Sequence, residues 1–337
     1  MKRFSLFFTL CILFTSCETE LNEMSGTSTT DAKYFANFNS ARQAHFKGLE
    51  VQLPEGYPTN LLEFTPRDFE DIALNRTSKN VYKVKHVRGN SLVEIIEEVY
   101  KLYPSFDYFD AKAYQRIFPK MTIEEINENS ETILDYIEKI MAFDIVSAFS
   151  QLNGAEYSLI SNERKARGYI SSGDWLNTAC TVSVVISHPR LDISGLRLAV
   201  DNANYFCGVY GSPTNNGGSN DYMDAVRHGI WGVYLGKEGT WRYSNPDKAM
   251  DIVSQLLLSH ECGQSGIGTG MDMQNNRVAL EYYRNNVEVT GSWPNRNTRI
   301  NKTFREIAIT ISAYPCHLVS TVSEISSKDA YTLVRLQ

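Results

Sequence analysis

Apolar residues recur at helical spacing along much of this chain, and capping residues mark where the predicted helices begin. Ser91 is a typical N-cap and Pro104 a typical stop for an apolar stripe over residues 91–103. Thr122 and Glu125 form a capping box ahead of another periodic apolar run, which continues for several turns. These signals predict a mainly α-helical fold.

The segments between these helices are less regular. Prolines and a glycine interrupt residues 50–66, which predicts a loop-rich N-terminal part. Residues 181–187 are rich in β-branched side chains but are also short enough to belong to a buried helix, so they stay ambiguous. Residues 192–206 are predicted to be helical and residues 212–218 to form a loop. The predicted fold class is mainly α with room for minor β structure.

The N-terminus has the composition of an export signal. Lys2 and Arg3 precede an apolar run over residues 4–14, which is too short to cross a bilayer core of about 30 Å as a helix. Residues 13–17 resemble the lipobox of bacterial lipoproteins, which implies cleavage before Cys17 and attachment of lipid to that residue. The alternative is an ordinary secretory signal that leaves the thiol of Cys17 free.

Composition divides the chain into four regions. Residues 1–16 are the predicted signal peptide, and residues 17–33 are a polar, Ser/Thr-rich segment that we expect to be a lipidated, disordered tether. Residues 34–160 are predicted to be a mainly helical region, and residues 161–337 a helical domain that contains the polar motifs described below. We expect the protein to be lipid-anchored in the bacterial cell envelope, at the outer membrane.

The charge balance argues against a nucleic-acid partner. Loss of Lys2 and Arg3 with the signal leaves 31 basic and 39 acidic residues, a formal charge of -8. No cluster of Lys and Arg stands out that could provide phosphate contacts along a nucleic acid. The expected partners are the membrane, through the lipid, and an unidentified small-molecule, lipid or protein ligand.

Four cysteines follow Cys17, in a compartment that permits disulfides. They are Cys180, Cys207, Cys262 and Cys316. Two bridges would allow three pairings, and free buried thiols are an equal alternative. The wide spacing does not match a zinc knuckle.

Three predicted helices of the C-terminal half contain polar side chains that could act in catalysis, metal binding or substrate binding. In the first, which covers residues 221–235, Asp224, His228 and Trp231 follow one another at intervals of four and three and therefore share one helical face. Arg227 lies beside them. This spacing places a carboxylate, an imidazole and a guanidinium close together.

The second of these helices begins with Asn245 as its cap and Pro246 in its first turn. Its apolar stripe ends at His260, and Glu261 follows directly. Because Gln264 occupies the fourth position after His260, the sequence lacks the second histidine of an H-E-x-x-H zinc protease. The His-Glu pair alone is therefore weak evidence for a functional site, and we interpret it together with the other motifs.

The third helix is predicted to begin after a glycine-rich turn over residues 263–270. Asp272, Asn275 and Asn276 occupy positions i, i+3 and i+4 and share a face. The glycines do not form a phosphate-binding loop, because no strand signal precedes them and Asp272 would place negative charge at the helix start. We interpret them as a flexible turn.

Two hypotheses follow from these motifs. In the first they form a hydrolase-like site with an unknown substrate, which uses either a divalent metal or an acid/base pair. The expected catalytic residues are His228, His260 and Glu261; the expected metal ligands are His228, His260 and Asp272; and the expected binding residues are Asp224, Arg227, Asn275 and Asn276. In the second hypothesis the same residues form a structural polar network in a non-catalytic envelope or cell-surface interaction module. Because burial of many ionisable groups is costly, we favour the site.

The three motifs also carry a resemblance to a known family. Residues 224–231, 260–261 and 271–276 resemble the D-A-x-R-H-x-x-W, H-E and M-D-x-x-N-N signature of an uncharacterised, mostly helical bacterial domain. The resemblance covers roughly residues 185–290. That family occurs in envelope lipoproteins and in proteins from toxin and secretion contexts. No activity is assigned to the family, so the resemblance implies none for this chain. Its third motif often continues with Gly-Arg, where this chain has a different pair of residues.

Overall fold

The protein is mainly α-helical with short strand pairs, which confirms the predicted fold class. The computed structural model describes residues 41–73, 87, 89–152, 179–210, 221–261 and 264–336. The helices are α1 (Pro66–Ala73), α2 (Leu92–Tyr100), α3 (Ala111–Gln115), α4 (Ile123–Glu128), α5 (Ser130–Phe149), α6 (Ala179–Ser187), α7 (Ile193–Tyr210), α8 (Tyr222–Tyr234), α9 (Pro246–His260), α10 (Ile267–Asn286), α11 (Phe304–Ser312) and α12 (Val322–Ser326). The strands are β1 (Arg42–Phe46), β2 (Leu49–Leu53), β3 (Val287–Thr290), β4 (Asn297–Ile300), β5 (Cys316–Leu318) and β6 (Leu333–Arg335). The predicted signal peptide, Cys17, the tether and the loop over residues 212–218 lie outside the described residues.

A β-hairpin that the sequence analysis did not predict opens the described chain. Strands β1 and β2 pair antiparallel in a register that closes with Phe46 opposite Leu49. The two turn residues, Lys47 and Gly48, have positive φ angles of 49° and 85°, as a two-residue type I′ turn requires. The segment 50–66 therefore contains most of β2, a 3₁₀ helix over Leu61–Glu63 and the loops beside it.

Helices α2 and α4 of the N-terminal half begin at the predicted caps. The Ser91 side chain accepts a hydrogen bond from the Glu94 N–H at the start of α2, and Thr122 and Glu125 form the capping box of α4. Asn129 divides the apolar run that follows into two helices, since it ends α4 and precedes α5. Helix α5 is buried along most of its length.

In two segments of the C-terminal half, the structure settles or corrects the predicted secondary structure. The ambiguous residues 181–187 belong to helix α6 rather than to a strand. The predicted flexible turn is wrong at Gly268 and Gly270, which lie inside α10. The helix extends this far because Ile267 and Met271 pack with a residue of α12, and this apolar contact outweighs the low helix propensity of glycine.

One continuous apolar core includes residues from β1 near the start of the described chain to β6 near its end. The described parts of both predicted regions, 34–160 and 161–337, contribute to it, and the boundary between them stays a prediction. Among the described helices, none has both the length and the apolar composition that crossing a membrane requires.

The cysteines form fewer bridges than the maximum that the sequence allows. Cys180 is disulfide-bonded, whereas Cys207 and Cys316 are free. The alternatives with two bridges are therefore excluded. The Cys207 thiol donates a hydrogen bond to the Met223 carbonyl oxygen at 2.9 Å, and Cys262 lies outside the described residues.

Candidate functional site

Helix α8 supplies the first group of polar side chains. Asp221 is its N-cap and accepts a hydrogen bond from the Asp224 N–H at 2.9 Å. The cap fixes the first turn, so that Asp224, His228 and Trp231 share one face, as their spacing predicts. All three residues are buried.

Close packing of three helices brings the motifs together. His260 is the last residue of α9 and Glu261 its C-cap, while Asp272 and Asn276 lie in the first half of α10. Gly232 of α8 permits this approach, because a Cβ atom there would lie 2.5 Å from a Cβ atom of α10. A larger residue at this position would push the helices apart and separate the motifs.

His228 is at the centre of the cluster. Its Nε2 lies 3.3 Å from Asp272 Oδ1 and 3.7 Å from Asp224 Oδ1, and its Nδ1 lies 3.4 Å from Asn276 Oδ1. Burial lowers the pKa of His228, which favours the neutral imidazole. In the tautomer that carries its proton on Nδ1, this N–H donates to the Asn276 amide oxygen and the Nε2 lone pair points toward two carboxylate oxygens. This arrangement suits a cation between the three side chains.

Among the described residues, three carboxyl groups but one arginine lie near His228. Burial raises the pKa of Asp272, and the charge of Asp224 raises it further. Burial and the neighbouring Asp272 also raise the pKa of Glu261. Both carboxylate oxygens of Glu261, and Oδ1 of Asp272, are buried and accept no hydrogen bond of good geometry from another described residue. Because an unpaired buried carboxylate is costly, the cluster favours either protonation or a bound cation.

A small cavity lies above His228. It has a volume of about 40 Å³ and is lined by Trp231, His260, Arg227 and Asn204 of α7. The His260 ring centre is 5.6 Å from that of His228 and 4.9 Å from that of Trp231. The Nδ2 of Asn204 is buried and has no hydrogen-bond partner among the described residues. The sequence analysis missed Asn204, although a polar residue next to the apolar stripe of α7 was a usable signal.

Two of the predicted binding residues make structural contacts. The Arg227 guanidinium pairs with the Asp224 carboxylate one turn earlier in α8. Asn275 is fully buried and bonds to the backbone of Val334 in both directions: the Val334 N–H donates to Oδ1 at 2.9 Å, and Nδ2 donates to the carbonyl oxygen at 3.1 Å. Asn275 thus attaches β6 to α10 rather than joining the cluster around His228.

Three side chains could hold a divalent metal ion. Asp224, His228 and Asp272 each offer one ligand atom, and these atoms lie within 4.8 Å of one another. Tetrahedral ligands about 2.1 Å from a metal stand about 3.4 Å apart, so the separations of 3.3 and 3.7 Å from His228 fit a common ion. Two carboxylates and a neutral imidazole suit ions such as Zn²⁺ or Mn²⁺. His260, which the sequence analysis proposed as a ligand, is not part of this group, and Asp224 completes it.

This site lies within one sequence domain. Residues 182–307 match the family model described as a domain of unknown function (DUF6973). The match covers rather more than a third of the chain and includes all three motifs. No curated protein and no solved structure matches the chain. The part of the chain that forms the site is therefore similar to an uncharacterised domain family.

Proposed function

We propose that Asp224, His228 and Asp272 bind a divalent metal ion and that this centre hydrolyses an as yet unidentified substrate. The observation that carries the proposal is the excess of buried carboxyl groups. Glu261 has two buried oxygens without a hydrogen-bond partner in the described chain, next to two aspartates around one neutral histidine. A bound cation would remove the cost of that arrangement.

Each polar residue of the cluster then has a role. A divalent ion would supply a Lewis acid for a carbonyl or phosphoryl oxygen and would lower the pKa of water. Glu261, whose pKa is raised by burial, would accept a proton from the attacking water. Asn276 orients His228 through its contact with Nδ1, as outer-shell residues do in metal sites. His260 lines the cavity through which a substrate group would approach.

Metal analysis of the purified protein tests this proposal. After equilibration with Zn²⁺ or Mn²⁺, we expect about one bound ion per chain, and we expect Asp272→Asn and His228→Gln to lose it. Asp251→Asn is the matched control, because Asp251 is an exposed carboxylate of α9 that accepts a hydrogen bond from Gln255. Ester, amide and phosphodiester substrates, each assayed with and without chelator, would then identify the reaction.

The rival function is a non-catalytic interaction module in which these residues form a structural network. The pairing of Arg227 with Asp224 and the small volume of the cavity, about 40 Å³, favour it. This hypothesis predicts a folded protein that binds no metal, and an Asp272→Asn variant that differs from the wild type in stability alone. That pair of results would reject the metal centre.

We also propose that the chain is exported and held at the outer membrane by lipid on Cys17. The charged start, the apolar run and the cysteine that follows support this. Cys17→Ser should release the protein from the membrane fraction and abolish palmitate labelling, whereas Cys11→Ser, inside the signal, should do neither. A Cys17→Ser protein that stays membrane-bound and labelled would contradict the anchor. If the anchor is present, the polar segment 18–33 would span about 20 Å or more as a coil.

A further inference from the structure

A second, larger cavity lies apart from the site around His228. Its volume is about 800 Å³, and it is lined by residues of β1, α1, α5, α6 and α9. It shares no lining residue with the small cavity above His228. Phe46 and Phe69 form apolar parts of its wall, and three lysines contribute ammonium groups.

The two carboxylates of α5 in this wall are already balanced by cations. Arg190 lies 2.8 Å from Asp135 and 3.0 Å from Glu138, and Lys248 lies 2.7 Å and 3.0 Å from the same two groups. Lys47 also contacts Asp135, at 2.5 Å. Although burial raises the pKa of Glu138, the charges of Arg190 and Lys248 outweigh it and lower that pKa well below its ordinary value. These acids do not require a further cation.

Lys139 is the lysine of this wall without a carboxylate partner among the described residues. Its Nζ donates a hydrogen bond to the Phe64 carbonyl oxygen and lies 5.6 Å from the centre of the Phe69 ring. Burial lowers the pKa of Lys139, and the charge of the neighbouring Lys47 acts in the same direction. An ammonium group has three N–H donors, so the contact with Phe64 leaves two of them for another acceptor.

Neutral donors complete the wall around these lysines. The Oγ of Ser187 is buried and has no hydrogen-bond partner in the described part of the chain. Thr59 and Asn60 line the cavity as well. Glu63 also lines the cavity, and because it is exposed, water and salt screen its charge.

We propose that this cavity binds a small phosphate-bearing molecule, with the phosphate on Lys139 and Lys47 and an apolar portion against Phe69. Lysine ammonium groups are common phosphate ligands. The volume lies within the range of small-molecule pockets, about 300–1,000 Å³. A soluble phosphomonoester and a phospholipid headgroup share this chemistry.

Titration calorimetry of the purified protein with phenyl phosphate tests the proposal. A chelator is present throughout, so that the metal centre proposed above makes no contribution. We expect saturable binding that is weakened about tenfold or more in Lys139→Gln, because the variant loses a charge-assisted hydrogen bond. Lys139→Arg should keep most of the affinity. Lys101→Gln is the matched control, because Lys101 is an exposed lysine paired with Glu98 outside the cavity.

Comparison ligands distinguish binding of the phosphate group from binding of the aromatic ring. Benzyl alcohol and benzylamine carry the ring without the phosphate and should not bind. Competition by phosphatidylglycerol vesicles would support a lipid headgroup as the natural source, and binding without such competition would support a soluble compound. Equal affinity of wild type and Lys139→Gln, with both proteins folded by circular dichroism, would overturn the proposal. Absence of saturable phenyl phosphate binding would overturn it too.

Discussion

Two regions of this protein bury ionisable side chains, and they differ in how the charges are balanced. Around Arg190, which is 1% exposed, Glu131, Asp135 and Glu138 each contact a cation within 3.4 Å. Around His228, Asp224 pairs with Arg227, whereas Asp272 and Glu261 have no lysine or arginine partner among the described residues. Each acid of the first region has a cation partner, whereas the described part of the second has more carboxyl groups than cations, an arrangement that a bound cation would relieve.

The two regions differ in charge balance rather than in how deeply their acids are buried. Glu138 and Glu261 are 5% and 6% exposed, so they are buried to the same extent. Burial raises the pKa of both, but Arg190 and Lys248 reverse the effect at Glu138, whereas Asp272 adds to it at Glu261. The opposite pKa shifts of these two glutamates therefore come from the charges beside them and not from their exposure.

The largest effect is expected from Arg190→Met. This change leaves Asp135 and Glu138 buried with Lys248 as their main remaining cation, and we expect the free energy of unfolding to fall by about 3–5 kcal/mol. Urea denaturation measures the loss. Lys101→Met, which removes an exposed cation, is the control and should leave the free energy of unfolding nearly unchanged. A loss for Arg190→Met as small as that of the control would show that the network does not stabilise the fold.

A second comparison lies within helix α5, where Asp144 is as deeply buried as Glu138 but contacts tyrosines. Tyr57 and Tyr103 donate hydrogen bonds to its carboxylate, and burial raises the pKa of Asp144 to about 7. When the pKa of a carboxyl group is higher in the folded than in the unfolded state, the free energy of unfolding falls as pH rises between the two pKa values. For Asp144 this range runs from about 4 to about 7, and the loss is about 1.4 kcal/mol per pKa unit. Between pH 4.5 and pH 8, the stability of Asp144→Asn should therefore rise by about 2–4 kcal/mol relative to that of wild type.

Urea denaturation of wild type and Asp144→Asn at pH 4.5 and pH 8 measures this gain. The comparison has to be made between the two proteins at each pH, because Glu261 and Asp272 have raised pKa values and contribute to the wild-type pH dependence in the same direction. The same difference in stability at both pH values would refute the raised pKa of Asp144.

Local sequence signals predicted the mainly helical fold and several individual helices, because caps and helical spacing act over a few residues. Asp224 and His228 share a face, as their four-residue separation requires, and the cap at Asp221 fixes the helix start. The same logic could not show that Asn275 bonds to Val334, 59 residues away. Helical spacing placed both asparagines of the third motif on one face, whereas in the fold they contact different residues.

The Arg190 network was not predictable from the sequence for the same reason. Its partners on α5 precede it by 52 to 59 residues, and Lys248 follows much later in the chain. No short pattern marks such a set of contacts. The hairpin at Lys47 and Gly48 was a missed local signal, since glycine at the second turn position is typical of a two-residue turn.

Glu261→Gln sharpens the contrast between the two regions, because the sign of its effect should differ from that of Glu138→Gln. In metal-free protein at pH 8, loss of an unpaired buried carboxylate should increase the free energy of unfolding by about 1–2 kcal/mol. Glu138→Gln should decrease it, since Arg190 and Lys248 lose a partner. Thermal and urea unfolding after chelator treatment measure both changes.

The same Glu261→Gln variant tests the proposed base. It should still bind metal, because Glu261 is not one of the three proposed ligands, and its hydrolysis rate should fall by about 10²–10⁴. Destabilisation comparable to that of Glu138→Gln would mean that Glu261 has a structural role and that the excess of acid is not a site.

The smallest effect concerns helix α9, which connects the two regions through Lys248 in its first turn and His260 at its end. Asn245 caps this helix and accepts hydrogen bonds from the Asp247 and Lys248 N–H groups at 2.9 Å and 3.2 Å. Asn245→Ala should cost about 1 kcal/mol of stability, and Asn245→Asp should restore it. Metal affinity, measured by calorimetry, should stay within about twofold of wild type, because distant sites act independently. A larger change in metal affinity would show that the ion-pair network and the candidate metal centre are coupled through α9.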